Sequence, residues 1–215
     1  MGKKEEAHPI LVLVIVLLAA VVFLASSHTT AGQSVTGTVG LYVTGFCTGP
    51  IYQGWNLVSL CNNATNLNIA SIFAGIDYRY VMRWNETGQE FGIFSPSAAT
   101  NPFTAMEVNR SYFVYLNSAT ASITPSNGDN SNMNITLVQG WNTPAWPYNG
   151  VTNFTRYFNS SFRYHMKWNA TTQEFVIWSP RMSAPPPSQM FVGDGQFIYA
   201  DVTTQLRLNR TNLTG

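Results

Sequence analysis

The chain has 215 residues, of which 45% are hydrophobic and only 10% are charged, and its formal net charge is +1. Soluble domains usually carry about 25% charged residues, so we expect a neutral, polar surface made largely of Asn, Ser and Thr around a substantial core. Lys and Arg form no cluster beyond the N-terminus, which argues against a nucleic-acid partner because phosphate binding requires concentrated positive charge.

Residues 1–31 are expected to be a signal peptide or a membrane anchor. An uninterrupted apolar run from Ile10 to Ala25 follows Lys3 and Lys4, an order typical of a secretory signal with cleavage after Ala31. The alternative is an uncleaved hydrophobic helix, because the run is close to the roughly 17 residues that cross a bilayer. Both interpretations place the rest of the chain outside the cell, either extracellular or at the cell surface.

Residues 32–49 contain an additional predicted strand. Apolar side chains alternate with polar or small ones from Ser34 to Val43, and this segment belongs to no repeat. We predict that it is a donor strand that completes the sheet of a neighbouring copy, because an extended segment can pair with an open sheet edge. The alternative is that it folds onto its own chain. The side chains predicted to fill the neighbour's groove are Val35, Val39, Leu41 and Val43.

A sequence repeat organises the remainder of the chain. The segment from Trp84 to Pro96 recurs 84 residues later from Trp168 to Pro180, and the triplet that begins at Gly54 recurs at Gly140. Such self-similarity predicts two copies of one structural unit joined by a polar, turn-rich linker. The predicted divisions are repeat 1 at residues 50–125, the linker at 126–135 and repeat 2 at 136–215.

Within each repeat the hydrophobic pattern favours β-structure. Tyr78 to Trp84 and Phe91 to Phe94 alternate, which predicts a hairpin, and a Ser-Pro pair ends its second strand. Leu67 to Ile76 has apolar residues at helical spacing, and a weaker copy occurs near Phe154 to Phe158. The predicted fold is therefore all-β: two tandem sandwich- or barrel-like modules with short helices, preceded by the hydrophobic N-terminal helix and the additional strand.

The two cysteines, Cys47 and Cys61, are predicted to form a disulfide, since an even pair in an exported chain favours a bridge. The alternative is two buried thiols. Repeat 2 has Pro147 at the place of Cys61, so the bridge would be specific to repeat 1 and would join the N-terminal strand to it.

N-glycosylation sequons are more frequent than chance. Nine occur, against about three or four expected from the Asn, Ser and Thr content, which predicts a heavily N-glycosylated surface. The alternative is that an Asn- and Thr-rich surface produces them by accident. The predicted sites are Asn63, Asn85, Asn109, Asn134, Asn153, Asn159, Asn169, Asn209 and Asn212.

The strand Gly54–Leu60, the short helix, the Trp-Asn hairpin and the strand Tyr112–Tyr115 together resemble a module found repeatedly in secreted surface proteins of archaea and bacteria. In that module each unit begins with a Gly-Trp-Asn-Leu strand that ends in Ser-Leu-Pro. Here Cys61 replaces the proline, and the second copy departs further, reading Thr143 and Pro144 after its Gly-Trp-Asn. The composition is similar to that of surface-layer and filament proteins of thermoacidophilic archaea. The resemblance implies a module and no particular activity.

Known catalytic and metal-binding patterns do not occur in the sequence, so we expect no enzymatic activity, no cofactor and no metal. His165 is interpreted as an ordinary strand position, since repeat 1 has Val81 there. Glu90 and Glu174 recur in both repeats and could in principle be a glycosidase pair. We expect instead that each pairs with a neighbouring strand residue such as Arg83 or Lys167.

The favoured function is a structural or adhesive glycoprotein that self-associates into a surface layer or filament. The alternative is a carbohydrate-binding module displayed at the surface, with glycans as ligands. Trp55, Trp84, Trp141 and Trp168 recur in pairs and are expected to pack in the core. Trp146 and Trp178 have no tryptophan counterpart, so they are the better candidates for exposed contact with a sugar.

Overall fold

The computed structural model describes residues 51–60, 64, 66–118, 133–146, 160–182 and 194–208, all within one compact unit, Val39–Gly215. These residues are mostly antiparallel β-structure, which confirms the all-β prediction. The hydrophobic N-terminal segment and the additional N-terminal strand lie outside the described residues. The elements are β1 (Gly54–Ser59), α1 (Ile69–Ile72), β2 (Tyr78–Asn85), β3 (Glu90–Phe94), β4 (Ser111–Leu116), β5 (Met133–Leu137), β6 (Gly140–Asn142), β7 (Phe162–Asn169), β8 (Glu174–Trp178), β9 (Gln196–Ala200) and β10 (Thr204–Leu208).

Two four-stranded sheets have the same strand order. Sheet 1 runs β1-β4-β2-β3, and sheet 2 runs β6-β9-β7-β8, with every neighbouring pair antiparallel. The hairpin register is also the same, because Trp84 lies opposite Phe91 in sheet 1 and Trp168 lies opposite Phe175 in sheet 2.

The hairpin turns depend on an asparagine and a glutamine. Asn85 Oδ1 accepts hydrogen bonds from the backbone N–H groups of Thr87 and Gly88, both at 3.2 Å. Gln89 then has φ 53°, a left-handed conformation that is uncommon for a residue with a side chain, and the equivalent Gln173 has φ 57°. An asparagine that bonds to the backbone ahead of it stabilises such a turn, so the sequon asparagine has a structural role here.

A short helix and its flanking residues cover the outer face of sheet 1. Asn68 begins α1 by accepting a hydrogen bond from the backbone N–H of Ser71 at 3.1 Å. The structure thus forms one helical turn inside the segment with helical spacing. The apolar residues of that segment are buried against sheet 1, namely Ile69, Ile72, Phe73 and Ile76.

A different element covers the outer face of sheet 2. Strands β5 and β10 pair antiparallel, with Leu206 opposite Ile135, and their apolar side chains pack on Ile198 of β9. Strand β5 begins at Met133, three residues inside the segment that the sequence assigns to the linker. The weaker helical segment near Phe154 to Phe158 lies outside the described residues.

The inner faces of the two sheets share one aromatic core. Phe113 of β4 and the equivalent Phe197 of β9 meet with ring centroids 5.9 Å apart. Trp168 lies 5.4 Å from Phe113, and Trp84 lies 6.0 Å from Phe197, so each sheet inserts a tryptophan beside the central phenylalanine of the other. Aromatic pairs at these distances contribute about 0.5–1.5 kcal/mol each beyond their buried area. The two sheets therefore meet through aromatic side chains that recur in the sequence.

Candidate functional site

The repeated motifs of the sequence meet each other between the two sheets. Gln173 of repeat 2 accepts a hydrogen bond from the backbone N–H of Trp55 at 2.7 Å and donates one to the carbonyl of Trp55 at 2.9 Å. The indole N–H of Trp168 donates to the same carbonyl at 2.8 Å. The glutamine amide thereby pairs with the backbone of β1 as a neighbouring strand would.

An equivalent set of hydrogen bonds runs in the opposite direction. Gln89 of repeat 1 accepts from the backbone N–H of Trp141 at 2.8 Å and donates to its carbonyl at 3.1 Å. The indole N–H of Trp84 donates to the same carbonyl at 2.8 Å. We call the pair Gln89 and Trp141, and the pair Gln173 and Trp55, the two Gln–Trp contacts. Each repeat therefore binds the start of the other.

The glycine that begins each Gly-Trp-Asn triplet is required by these contacts. Gly54 has φ 91° and Gly140 has φ 104°, values that favour glycine. A Cβ atom on Gly54 would lie 2.8 Å from Gln173 Oε1, and one on Gly140 would lie 2.6 Å from Gln89 Oε1. The backbone conformation disfavours a side chain at these two positions, and a Cβ atom there would also displace the amide of the glutamine.

The asparagine of each triplet holds the preceding loop. Asn56 Nδ2 donates to the carbonyl of Tyr52 at 2.7 Å, and its Oδ1 accepts from the Tyr52 N–H at 2.9 Å. Asn142 makes the same pair of bonds to Val138, at 2.8 and 2.9 Å. All three residues of the triplet thus have a structural explanation. Their partners Gln89 and Gln173 also recur in the repeat, and this recurrence is the one signal in the sequence that marks them.

One contact between the sheets differs between the two repeats. The backbone N–H of Gly195, just before β9, donates to the carbonyl of Leu57 at 3.3 Å. A Cβ atom at Gly195 would lie 2.4 Å from Leu57 Cγ and 2.9 Å from its carbonyl oxygen. The equivalent position in repeat 1 is Ser111, whose N–H donates to the carbonyl of Thr143 at 2.8 Å. Leu57 therefore requires glycine opposite it, whereas Thr143 accommodates serine.

Four of the nine predicted glycosylation sites fall within the described residues. Asn85, Asn109, Asn134 and Asn169 are all exposed. Asn85 and Asn169 end β2 and β7 at the hairpin turns, and Asn134 lies in β5. Exposure is the condition that a glycan requires. The other five sites lie outside the described residues: Asn63, Asn153, Asn159, Asn209 and Asn212.

The prediction that Trp146 and Trp178 are exposed is wrong. Trp146 is 2% exposed and Trp178 is 8% exposed, and both belong to the apolar cluster between sheet 2 and the strands β5 and β10. The sequence suggested exposure because neither residue recurs as tryptophan. In the structure Trp178 ends β8 of sheet 2 and Trp146 follows β6, and both pack against the apolar side chains of β5 and β10 that cover this sheet.

His165 is a buried strand residue. Its Nε2 atom lies 2.9 Å from Oε1 of Gln196. The pKa of His165 is lowered from 6.5 to about 4, mainly because burial removes the hydration of the charged imidazolium; the Gln196 hydrogen bond opposes this effect, and the charge of Lys167 adds a smaller lowering. The imidazole is therefore neutral near pH 7.

The recurring glutamates do not pair as expected. Glu90 is exposed and lies opposite Asn85 at the end of its hairpin, and Glu174 has the equivalent place. Arg83 forms an ion pair with Glu107 at 3.3 Å instead. Lys167 likewise pairs with Asp194 instead of with Glu174. The expected pairing is wrong because the residues that face Arg83 and Lys167 are Gly92 and Val176, and each glutamate lies two positions earlier, nearer the hairpin turn.

Several expectations fall on residues that the structure does not describe. They include the disulfide between Cys47 and Cys61 and the donor-strand side chains Val35, Val39, Leu41 and Val43. In the described ranges, no helix has the length and apolar character that crossing a membrane requires. The same ranges contain no group of three or more His, Cys, Asp or Glu side chains arranged for a metal ion. Comparison with protein-family models, curated proteins and solved structures finds no match to this chain.

Proposed function

We propose that this protein is an extracellular structural or adhesive glycoprotein, a self-associating component of a surface layer or filament, and that it has no enzymatic activity. The observation that carries the proposal is that residues of the repeated motifs bind the two sheets to each other. Gly54, Trp55 and Gln173, with their equivalents in the other repeat, join two sheets into one body. A sequence whose recurring residues hold sheets together supports a mechanical role.

The finer architecture is part of the same proposal. We take repeat 1 and repeat 2 as two copies of one module, supported by the common strand order of sheets 1 and 2. The equivalent hairpin turns with Gln89 and Gln173 in left-handed conformations support it further. The modules differ in their outer layers, which are α1 in repeat 1 and the pair β5–β10 in repeat 2.

Export and glycosylation are supported by independent features. The apolar segment Ile10 to Ala25 directs the chain to the membrane, where it is cleaved or remains as an anchor. The sequon asparagines in the described residues are all exposed, so each is accessible to a glycosyltransferase. Glycans would also solubilise a surface that has few charges.

The acceptor that we propose for the donor strand is the free edge of β3. This strand ends sheet 1, and within the described ranges no strand pairs with its outer side. Ile93 on β3 is 45% exposed. An open edge with an exposed apolar side chain favours strand addition by Ser34 to Val43 of a second copy, because main-chain hydrogen bonds and an apolar contact form together.

The alternative function, a surface-displayed carbohydrate-binding module, is favoured by one observation. Trp55, Tyr80 and Tyr115 form an aromatic cluster in which both tyrosines are only partly buried, and Trp141 has an equivalent cluster in repeat 2. Aromatic rings at a surface can stack on sugars. Titration with oligosaccharides, followed by tryptophan fluorescence, tests this function. Saturable binding that is lost in Tyr80→Ala would favour it over a purely structural role.

The structural proposal is tested on protein purified from its native host. Intact mass spectrometry should give a mass well above 23.8 kDa, less any cleaved signal, and electron microscopy should show filaments or a lattice. Deletion of residues 33–43 should leave a folded protein that no longer assembles if those residues are the donor strand. Unglycosylated protein that stays monomeric at every concentration would contradict the proposal.

A further inference from the structure

We propose that the interface between the two repeats also joins copies of this chain, with the first half of one copy paired to the second half of the next. Here the first half is residues 51–118 and the second half is residues 133–208, as far as each is described. This inference rests on the proposed self-association and names the surface that would carry it. The partner is a second copy of the same chain, bound head to tail.

Each half builds its own sheet and its own outer layer. The described strand pairs of sheet 1 all lie within residues 51–118, and those of sheet 2 and of β5–β10 all lie within residues 133–208. Fourteen residues, 119–132, connect the halves. Because none of the described strands of one half is interleaved in the sheet of the other, exchange of halves between chains preserves both sheets.

The contacts between the halves are equally available between chains. They comprise the two Gln–Trp contacts, the central pair Phe113 and Phe197, and short backbone bridges such as Arg110 opposite Pro144. None of these contacts depends on which chain supplies the partner half. An unpaired half would expose an aromatic face, so each half requires a partner from its own chain or from another.

The contact between Leu57 and Gly195 determines which halves can pair with each other. If two first halves were paired, Ser111 of one would take the place of Gly195 beside Leu57 of the other. The Cβ atom of Ser111 would then collide with the side chain and the carbonyl oxygen of Leu57. A first half therefore selects a second half. Between chains this pairing is heterologous, and a heterologous contact produces either a closed ring or an open filament.

Protein concentration determines which of two forms is populated. In the closed form the two halves of one chain pair with each other, and in the exchanged form each half pairs with a half of another chain. A short connection gives the halves of one chain an effective concentration on the order of mM, so closed monomers dominate in dilute solution. Chains held at comparable density on a surface would exchange halves. Shortening the connection by deleting residues 126–130 should favour exchange, because fewer residues can then span the path within one chain.

Interchain disulfide trapping tests the proposal. Arg110 and Pro144 face each other as an antiparallel bridge, and such pairs have Cα atoms about 4.5–5.5 Å apart, within disulfide range. Full-length Arg110→Cys and Pro144→Cys chains with different tags are co-expressed and concentrated to about 1 mM, near the effective concentration of a short linker. Peptide mapping should find a 110–144 disulfide between the two tags, with a yield that rises with concentration and on deletion of residues 126–130.

Three control chains are needed to interpret the disulfide trapping. A single chain with both substitutions should form the intrachain bond in dilute solution, which verifies the geometry. Gln205→Cys on the exposed face of β10 replaces Pro144→Cys and should give no specific bond. Adding Gly195→Val to the Pro144→Cys chain should lower the interchain yield at least ten-fold, because the valine side chain would collide with Leu57.

The outcomes separate this proposal from the proposed function. Absence of the interchain bond at about 1 mM, with the intrachain control positive, overturns the exchange of halves. If the protein still assembles but loses assembly on deletion of residues 33–43, the structural function stands and the donor strand carries it. If the bond forms but native material shows no filament or lattice, the exchange stands and the surface-layer function fails.

Discussion

Gln173 hydrogen-bonds through its side-chain amide to both the N–H and the carbonyl of Trp55, a residue 118 positions earlier in the chain. The first prediction follows from this contact. Gln173→Ala should lower the free energy of unfolding by about 1–3 kcal/mol, because two backbone groups of a buried segment lose a partner. Gln89→Ala should have a similar effect, measured by denaturant unfolding. Gln205→Ala is the matched control: its amide donates to Thr136 Oγ1 at 2.7 Å on the exposed face of β10, where water replaces the lost partner, so the loss should be clearly smaller.

The second prediction concerns the glycines opposite those glutamines. Gly54→Ala should destabilise the protein by about 1–3 kcal/mol, since the φ of 91° disfavours alanine and the new methyl group would collide with Gln173. Gly92→Ala is the control, because a Cβ there would lie in ordinary contact, 3.5 Å from Phe103. The double variant Gly54→Ala, Gln173→Ala should lose less unfolding free energy than the sum of the losses in the two single variants. Strict additivity would mean that the two side chains do not compete for the same space.

The local structure could be predicted from the sequence, and the pairing of the halves could not. The alternation in Tyr78–Trp84 specifies a strand because the period of two is a property of neighbouring residues. The contact of Gln173 with Trp55 has no local signature, since its partners are far apart in the chain. The burial of Trp146 has no local signature for the same reason: β5 and β10 cover it, and their pairing joins the two ends of the segment 133–208.

The third prediction concerns acid sensitivity. The pKa of His165 is about 4 in the folded protein and 6.5 when exposed, so the unfolded chain binds the proton more tightly. Stability from the neutral imidazole is therefore complete above about pH 6.5 and is lost as the pH falls towards 4, by about 3 kcal/mol in total. His165→Val, which introduces the residue found at Val81 in repeat 1, should reduce this slope. Unfolding measured from pH 7 to pH 4 gives the comparison, and equal slopes would contradict the assignment.

The fourth prediction separates the two roles of the hairpin sequon. Thr87→Ala abolishes the sequon but keeps Asn85, whose Oδ1 accepts backbone hydrogen bonds in the turn. Asn85→Ala removes both the sequon and the turn contacts. In unglycosylated protein from a bacterial host, Asn85→Ala should lower the free energy of unfolding by about 0.5–1.5 kcal/mol, while Thr87→Ala should be nearly neutral. In protein from the native host, each should remove one glycan from the intact mass. If Thr87→Ala leaves that mass unchanged apart from the substitution, Asn85 serves the turn alone.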